Sequence, residues 1–557
     1  MKKLIVCIIY LFFTTLSFGQ SLEAGKNGVV VSASKIASDI GIQIMREGGN
    51  SVDAAIAVSF ALAVVWPEAG NLGGGGFMVI RFPDGSATTI DYREKASENA
   101  HEKMYLDRDG KPISGLSTEG PLSAAVPGTV AGMALAWEKY GLLPWNKLIE
   151  PAIELADKGF PVTYHLHTGL KNHYEEMAQF TATKDMFFPK GSVPEVGDIL
   201  KFPDLAQTLG RIAQEGADDF YRGLTALKIV RSVNAAGGIL TYDDLKNYRA
   251  IEQRPLRFQY RDHEIITMAP PSSGGVVLGQ ILKILENFPM SHYDYFSPDA
   301  IHKIVEAERF AYANRSKYLG DPYFVNNHTQ YLLSDKLNDS LASEIKFNVA
   351  GNSLVTAPVF VPESEQTTHF SIIDKNGLAV SNTTTLNSSY GSCFVVEGTG
   401  ILLNNEMDDF SIKPGQPNQF GLLGSEANSI QPNKKMLSSM TPAIVTQDNQ
   451  IKYILGSPGG STIITTVAQV IINLVDFGMN LRNAVHAPRF HHQWLPDNIY
   501  FEKFGIDKTL FEALEKMGYK LVIRSAIGDL NAIGIDHNLG IYIGVADNRR
   551  QSAVSCY

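Results

Sequence analysis

Residues 51–65, SVDAAIAVSFALAVV, are apolar on nearly every face, which suits a helix buried inside a layered fold. Before them, residues 27–34 (NGVVVSAS) predict a strand. Ser34 then caps a helical stretch in which Ile36, Ile40, Ile44 and Met45 recur at helical spacing, closed by Gly48-Gly49. Residues 71–82 (NLGGGGFMVIRF) and 86–94 (SATTIDYRE) predict two strands joined at Pro83-Asp84-Gly85. The middle, roughly 123–346, reads as mostly helical, most clearly at 206–214 and 298–318. Residues 347–366 have no sustained period and two prolines, the texture of a long loop or linker.

From 367 onward the pattern turns to β. THFSIID and LAVSNTTTLN flank Lys375-Asn376-Gly377, and Asn-Gly between alternating runs is a strong hairpin signal. Two further hairpins are predicted at 443–455, around Asp448-Asn449, and at 531–545. An apolar helix over 461–477 lies between them. Buried helices alternating with hairpins predict an α/β layered sandwich (αββα), antiparallel sheets covered by helices. The regular strand–helix–strand alternation of a doubly wound parallel sheet is absent.

The first hairpin also brings polar residues together. A two-residue turn at Asn376-Gly377 pairs Lys375 with Leu378 and sets Thr367 opposite Leu386, beside Thr385 and Asn387. Taken locally, such a threonine-rich strand edge is ordinary sheet decoration.

Composition adds limits. The 557-residue chain is 44% hydrophobic and 19% charged, enough for a large core. Its formal net charge of −10 argues against a nucleic-acid or anionic-membrane binder. Met1-Lys2-Lys3, an apolar run over 4–13 and small polar residues up to Gln20 read as a cleaved secretory signal over 1–20, too short for a comfortable membrane anchor. An exported protein, periplasmic or secreted, is expected. Cys7 leaves with that signal. Cys393 and Cys556 remain, too few for a disulfide framework, and no Cys/His spacing suggests a zinc site.

Several motifs recur in one order: GGNSVDAA (48–55), LGGGGF (72–77), DYRE (91–94), AAVPGTVAG (124–132), QTTHFS (366–371), ILLNNEMDDF (401–410), LSSMTP (437–442), GSPGGS (456–461) and APRFHHQW (487–494). In this order they resemble the γ-glutamyltransferases (γ-glutamyl transpeptidases, or glutathione hydrolases) of the N-terminal-nucleophile hydrolase superfamily, over essentially the whole mature chain. The resemblance implies self-cleavage between Gln366 and Thr367. It would give a large chain (21–366) and a small chain (367–557) that stay together as a heterodimer. Thr367 would then be nucleophile and base in one residue. Its new α-amine, with a pKa of about 7.7–8.0, accepts the proton of its own hydroxyl.

The resemblance carries further roles onto matching positions. Thr385 accompanies the nucleophile. Gly459 and Gly460 supply backbone N–H groups to the oxyanion, where glycine lets the backbone approach closely. Arg93 would take the substrate α-carboxylate through its guanidinium fork, with Ser438 and Ser439 at the same end. Asn387, Glu406 and Asp409 would hold the α-amino group. Read alone, Arg93 is an ordinary ion-pair residue, Glu406 and Asp409 a solvated turn or a cation site, and the serines a polar pair before a strand. Asp408, outside the matched roles, reads as just such a solvated turn or cation site. LGGGGF lacks the ending of a phosphate loop and reads as tight packing near the core. His486, His491 and His492 read as structural.

The expected activity is hydrolysis or transpeptidation of glutathione and other γ-glutamyl compounds, with water, an amino acid or a peptide as acceptor and no metal or cofactor. Two other readings compete. One keeps the nucleophile but takes a different side-chain amide, as cephalosporin and glutaryl acylases do. The other is an unprocessed, inactive binding protein. Residues 414–434 resemble a segment that covers the pocket in some members of the family, with Phe420 where a tyrosine is common.

Overall fold

A computed structural model describes residues 21–353 and 367–557; the expected signal segment, Gln366 and most of the expected linker over 347–366 lie outside them. Two seven-stranded sheets, antiparallel throughout, form the centre. The first runs, in spatial order, Ala553–Cys556, Gly28–Ser32, Thr368–Asp374, Ala379–Thr385, Gly75–Arg81, Ala87–Asp91 and Ile251–Gln253. The second runs Leu22–Gly25, Ile541–Ala546, Asn531–Asp536, Gln450–Leu455, Ala443–Gln447, His263–Thr267 and Leu256–Tyr260.

The layering follows from the period-2 alternation of strand side chains. In the strand Thr368–Asp374, Phe370 and Ile372 join the core that includes the helices Lys35–Arg46 and Ser51–Val65. Ile373 turns the other way, to the layer between the sheets, with Val29, Val31, Ile444, Ile454 and Ile533. The helices Gly274–Leu285 and Thr462–Val475 pack in the core on the outer side of the second sheet. This is the αββα sandwich expected from the hairpins and buried helices. Every residue of Ser51–Val65 is buried, as its all-round apolar pattern requires, and Asn50 caps it reciprocally with Asp53.

Four local expectations need correction. Ser34 stands at the N-cap of Lys35–Arg46, but its side chain makes no capping hydrogen bond. The strand expected from residue 71 begins only at Gly75, because Asn71 and Gly74 form a turn gripping Thr385: Gly74 N–H donates to Asn71 Oδ1 (2.9 Å) and Asn71 Nδ2 to the Thr385 carbonyl (2.9 Å). The middle region, read as mostly helical, also holds Ile251–Gln253 and the hairpin Leu256–Tyr260 with His263–Thr267. Finally, the 376–377 hairpin has a three-residue turn. Asp374 Oδ1 accepts from Asn376 N (2.8 Å) and Leu378 N (3.3 Å), and Gly377 takes φ +82°. Ile373 therefore pairs with Ala379 and Thr368 with Thr384, so Thr367 comes level with Thr385 itself.

Candidate active site

Thr367 immediately precedes a central strand of the first sheet and is buried. The corrected register brings the Thr367 hydroxyl 3.4 Å from that of Thr385. The Thr385 hydroxyl also accepts the Asn387 N–H at 2.8 Å. Asn387, at φ +80°, donates its amide to the Asn405 carbonyl (3.1 Å) and lines the same cavity as Thr367. Behind Thr385 stands LGGGGF. A Cβ on Gly74 would lie 2.1 Å from the Thr385 carbonyl oxygen, and one on Gly76 2.3 Å from that of Thr383. The glycines allow this close approach of backbones, the tight packing expected of them.

Polar residues continue down the same face into the space between the sheets. His369 meets Thr383 Oγ1 (2.9 Å) and Ser371 Oγ (3.1 Å), and Asn531 Nδ2 donates to the His369 carbonyl (2.9 Å). Burial pushes His369 down to about 3, so its ring is neutral. Gly456 leaves it room, since a Cβ there would sit 2.1 Å from the ring.

Arg93, Thr367, Thr385, Asn387, Asp409, Phe420, Leu422, Ser438, Ser439 and Gly460 line one small cavity of about 20 Å³. A much larger cavity, about 900 Å³, runs along 322–331 and shares no residue with it; converging polar groups, not size, mark the site. Of the residues expected from sequence, Glu406 and Gly459 are not in the lining. Glu406 stands against Arg93, and Gly459 precedes Gly460 in a turn with φ +134° and +55°. Among the described residues the N–H groups of Gly459 and Gly460 donate to no acceptor, while their carbonyls receive Thr462 N (2.9 Å) and Ile463 N (3.3 Å).

Arg93 is fully buried just after the strand Ala87–Asp91, and it is an ion-pair residue. Its Nη1 lies 2.6 Å from Glu406 Oε2 and 3.3 Å from Glu94 Oε2, and its Nη2 pairs with Asp409. Its Nε donates to the Met436 carbonyl at 3.3 Å. The 2.6 Å contact lacks hydrogen-bond geometry, and both Glu406 carboxylate oxygens are left without a hydrogen bond. One guanidinium thus faces three carboxylates. Burial lifts Glu406 well above the usual carboxylate range against the pull of Arg93, and it raises Glu94 too. An added ammonium group would offset the excess negative charge and give the Glu406 oxygens partners.

Asp408 is no solvated turn. It is buried and accepts from Ser117 Oγ (2.7 Å) and from Gln419 N (3.0 Å), which ties down the segment carrying Phe420. Gln493 provides a second tie. Its Nε2 donates to the Phe420 carbonyl (3.1 Å), and its Oε1 accepts from the Ser461 hydroxyl next to Gly460. Gln493 lies in the APRFHHQW motif, but nothing local signals its role. His491 bonds Thr465 Oγ1 (2.8 Å) and Gln493 Oε1 (2.8 Å), while His492 faces Asp497 (3.2 Å). Among the described residues no group of His, Cys, Asp and Glu could hold a metal ion, and no helix is long and apolar enough to cross a membrane. Cys393 and Cys556 are free thiols.

The gamma-glutamyltranspeptidase family model matches residues 37–557. The glutathione hydrolase proenzyme of Escherichia coli K12 is 46% identical over 527 residues, covering 94% of this chain and 90% of the relative. That of Bacillus subtilis 168 is 37% identical over 556 residues, 96% of this chain and 92% of the relative. Among solved structures, cephalosporin acylase from Bacillus halodurans superposes with a TM-score of 0.85 at 27% identity, over 96% of this chain and 97% of that one. Helicobacter pylori gamma-glutamyltranspeptidase gives 0.58 at 41% identity, over 58% of this chain and 94% of the solved chain.

Proposed function

The chain belongs to the gamma-glutamyltranspeptidase family, and we propose that it is a self-processing enzyme that cleaves the γ-glutamyl amide of glutathione and related compounds through an ester on Thr367. The observation that carries this reading is the meeting of Thr367, Thr385, Asn387, Arg93, Asp409, Ser438, Ser439 and Gly460 around one cavity. The relatives' designation as proenzymes supports processing.

In processing, the Thr367 hydroxyl attacks the Gln366 carbonyl carbon. The C–N bond breaks, the nitrogen keeps a proton and becomes the free Thr367 α-amine, and Gln366 is left as an ester on Oγ. Water then hydrolyses the ester, restoring the hydroxyl and giving the Gln366 carboxylate. In turnover that amine takes the hydroxyl proton as Oγ attacks the γ-carbonyl. Gly459 and Gly460 N–H groups stabilise the oxyanion. The departing amine leaves with the proton, and water or the amine of an amino acid or peptide then attacks the ester. Arg93, Ser438 and Ser439 take the α-carboxylate of the donor, while Asn387, Glu406 and Asp409 take its ammonium. A γ-glutamyl group is larger than the present cavity, so Phe420 and Leu422 give way on binding. The leader pattern of residues 1–20 supports export.

The cephalosporin acylase likeness extends to the fold, but the carboxylates around Arg93 favour a donor with an α-ammonium group. Intact mass measurement tests the reading: purified protein gives a small chain beginning at Thr367. The Thr367→Ala variant stays a single chain without turnover. A Thr367→Ala protein that still separates into two chains refutes the nucleophile assignment.

A further inference from the structure

Arg315 lies in the last turn of the helix Pro298–Tyr318, buried behind the cavity and outside its lining. A guanidinium only donates hydrogen bonds. Its Nε donates to Ser273 Oγ (2.9 Å) and its Nη2 to Ser439 Oγ (3.2 Å). Ser273, its hydroxyl oxygen so engaged, passes its own proton to the Ser438 carbonyl (2.6 Å), which also receives Ser273 N–H (2.7 Å). Ser438 Oγ in turn accepts the Met440 N–H at 3.2 Å.

The hydroxyl oxygens of Ser438 and Ser439 therefore both have a donor directed at them from the protein side. Each keeps its proton to offer the cavity, which an incoming carboxylate can accept. The charge balance points the same way. The carboxylate that supports the Arg315 charge is Asp409, and Asp409 is already paired with Arg93. Burying a cation without a close anion is costly, and a bound anion beside Ser439 would relieve that cost.

We propose that Arg315 is a positioning residue that makes the Ser438–Ser439 loop selective for a donor with a free α-carboxylate. It orients the Ser439 hydroxyl as a proton donor, holds the Ser438 carbonyl through Ser273, and adds positive charge behind both serines. The inference rests on the proposed γ-glutamyl reading of the cavity and adds a residue that does not touch the substrate.

The test compares two donors, a γ-glutamyl anilide with a free α-carboxylate and the same anilide as its α-carboxamide. The wild-type comparison reports on the γ-glutamyl reading: if wild type takes both equally, that assignment of the carboxylate end fails. Arg315 is judged by Arg315→Gln, with two-chain maturation as the check on folding. We expect kcat/KM on the carboxylate donor to fall about tenfold or more, mostly through KM, with less than about threefold loss on the carboxamide. Arg315→Lys recovers part of the carboxylate preference. Where the glutamine variant does not mature, Ser273→Ala, which cuts the link from Arg315 to the Ser438 carbonyl, gives the same donor-selective loss in smaller measure. Equal losses on both donors in a matured variant overturn the proposal.

Discussion

Replacing Thr385 by valine keeps the side chain's shape and removes one oxygen. That oxygen accepts the Asn387 N–H at 2.8 Å and faces the Thr367 hydroxyl at 3.4 Å. Valine leaves the Asn387 N–H buried without this acceptor, at a residue held at φ +80°, and an orphaned buried donor costs about 1–3 kcal/mol. The cost falls on the turn that carries Asn387 to the cavity. With every 1.4 kcal/mol worth about tenfold in rate, Thr385→Val should slow both self-cleavage and turnover by about 10–100-fold. Thr385→Ser keeps the oxygen and should stay within about threefold of wild type in both. Self-cleavage is followed as the fraction of single chain on denaturing gels after synthesis, and turnover by amine release from a γ-glutamyl anilide. If Thr385→Val processes and turns over within twofold of the serine variant, the hydroxyl plays no part and the reasoning from the hairpin register falls.

Three other substitutions probe packing and charge. Gly74→Ala drives a methyl group to 2.1 Å from the Thr385 carbonyl and should destabilise by about 1–3 kcal/mol or more, with incomplete processing. Gly210→Ala, inside the helix Pro203–Glu215 with nothing within 4 Å, should stabilise by about 0.5–1 kcal/mol; thermal melts compare the two. Burial lifts Asp408 from 3.8 to about 6, against the hydrogen bonds from Ser117 and Gln419. The folded protein therefore holds a proton that the unfolded chain has released over roughly pH 4–6, and stability falls as pH rises through that window, by at most about 3 kcal/mol. Asp408→Asn can accept from Gln419 N and donate to Ser117 Oγ, so it should flatten the melting-temperature profile between pH 4 and 6; an unchanged slope refutes the assignment.

The elements were legible where local pattern and burial agree. Residues 51–65 are apolar all round and buried all round. The 448–449 turn has φ +52° and +59° at Asp and Asn, residues that tolerate such angles. The misses share one physical cause, a local choice made by a distant group. The 256–267 hairpin alternates well, but it turns at Arg261, which carries no turn signal. Arg261 reaches φ +54° because its side chain is held by Asp476 and by the carbonyls of Leu285, Glu286 and Phe288. Asn376-Gly377 signals a turn correctly, but the Asp374 carboxylate lengthens it and shifts the register by one. In the site, residues within motifs could be named from their order along the chain. Arg315, Ser273, Asp408 and Gln493 could not be assigned roles, because each acts through a contact with a chain segment far away in sequence.

The proposed self-cleavage also fits the sheet order. A break between 366 and 367 separates the chain into parts that alternate within the first sheet. Counting from its Ala553–Cys556 edge, the strands come from the C-terminal part, the N-terminal part, twice from the C-terminal part, and then three times from the N-terminal part. Thr368–Asp374 keeps Gly28–Val31 on one side and Ala379–Thr384 on the other, so the strand that would carry the new terminus is held by neighbours from both parts. The second sheet alternates too, with Leu22–Gly25 at one edge, His263–Thr267 and Leu256–Tyr260 at the other, and C-terminal strands between. Cutting a bond at a strand's entrance breaks no ladder in either sheet. No strand pairing among the described residues bears the cost of the proposed cut, while its benefit, a free amine beside the nucleophile's own hydroxyl, would fall where the Thr385–Asn387 turn, Gly460 and the Arg93 cluster meet.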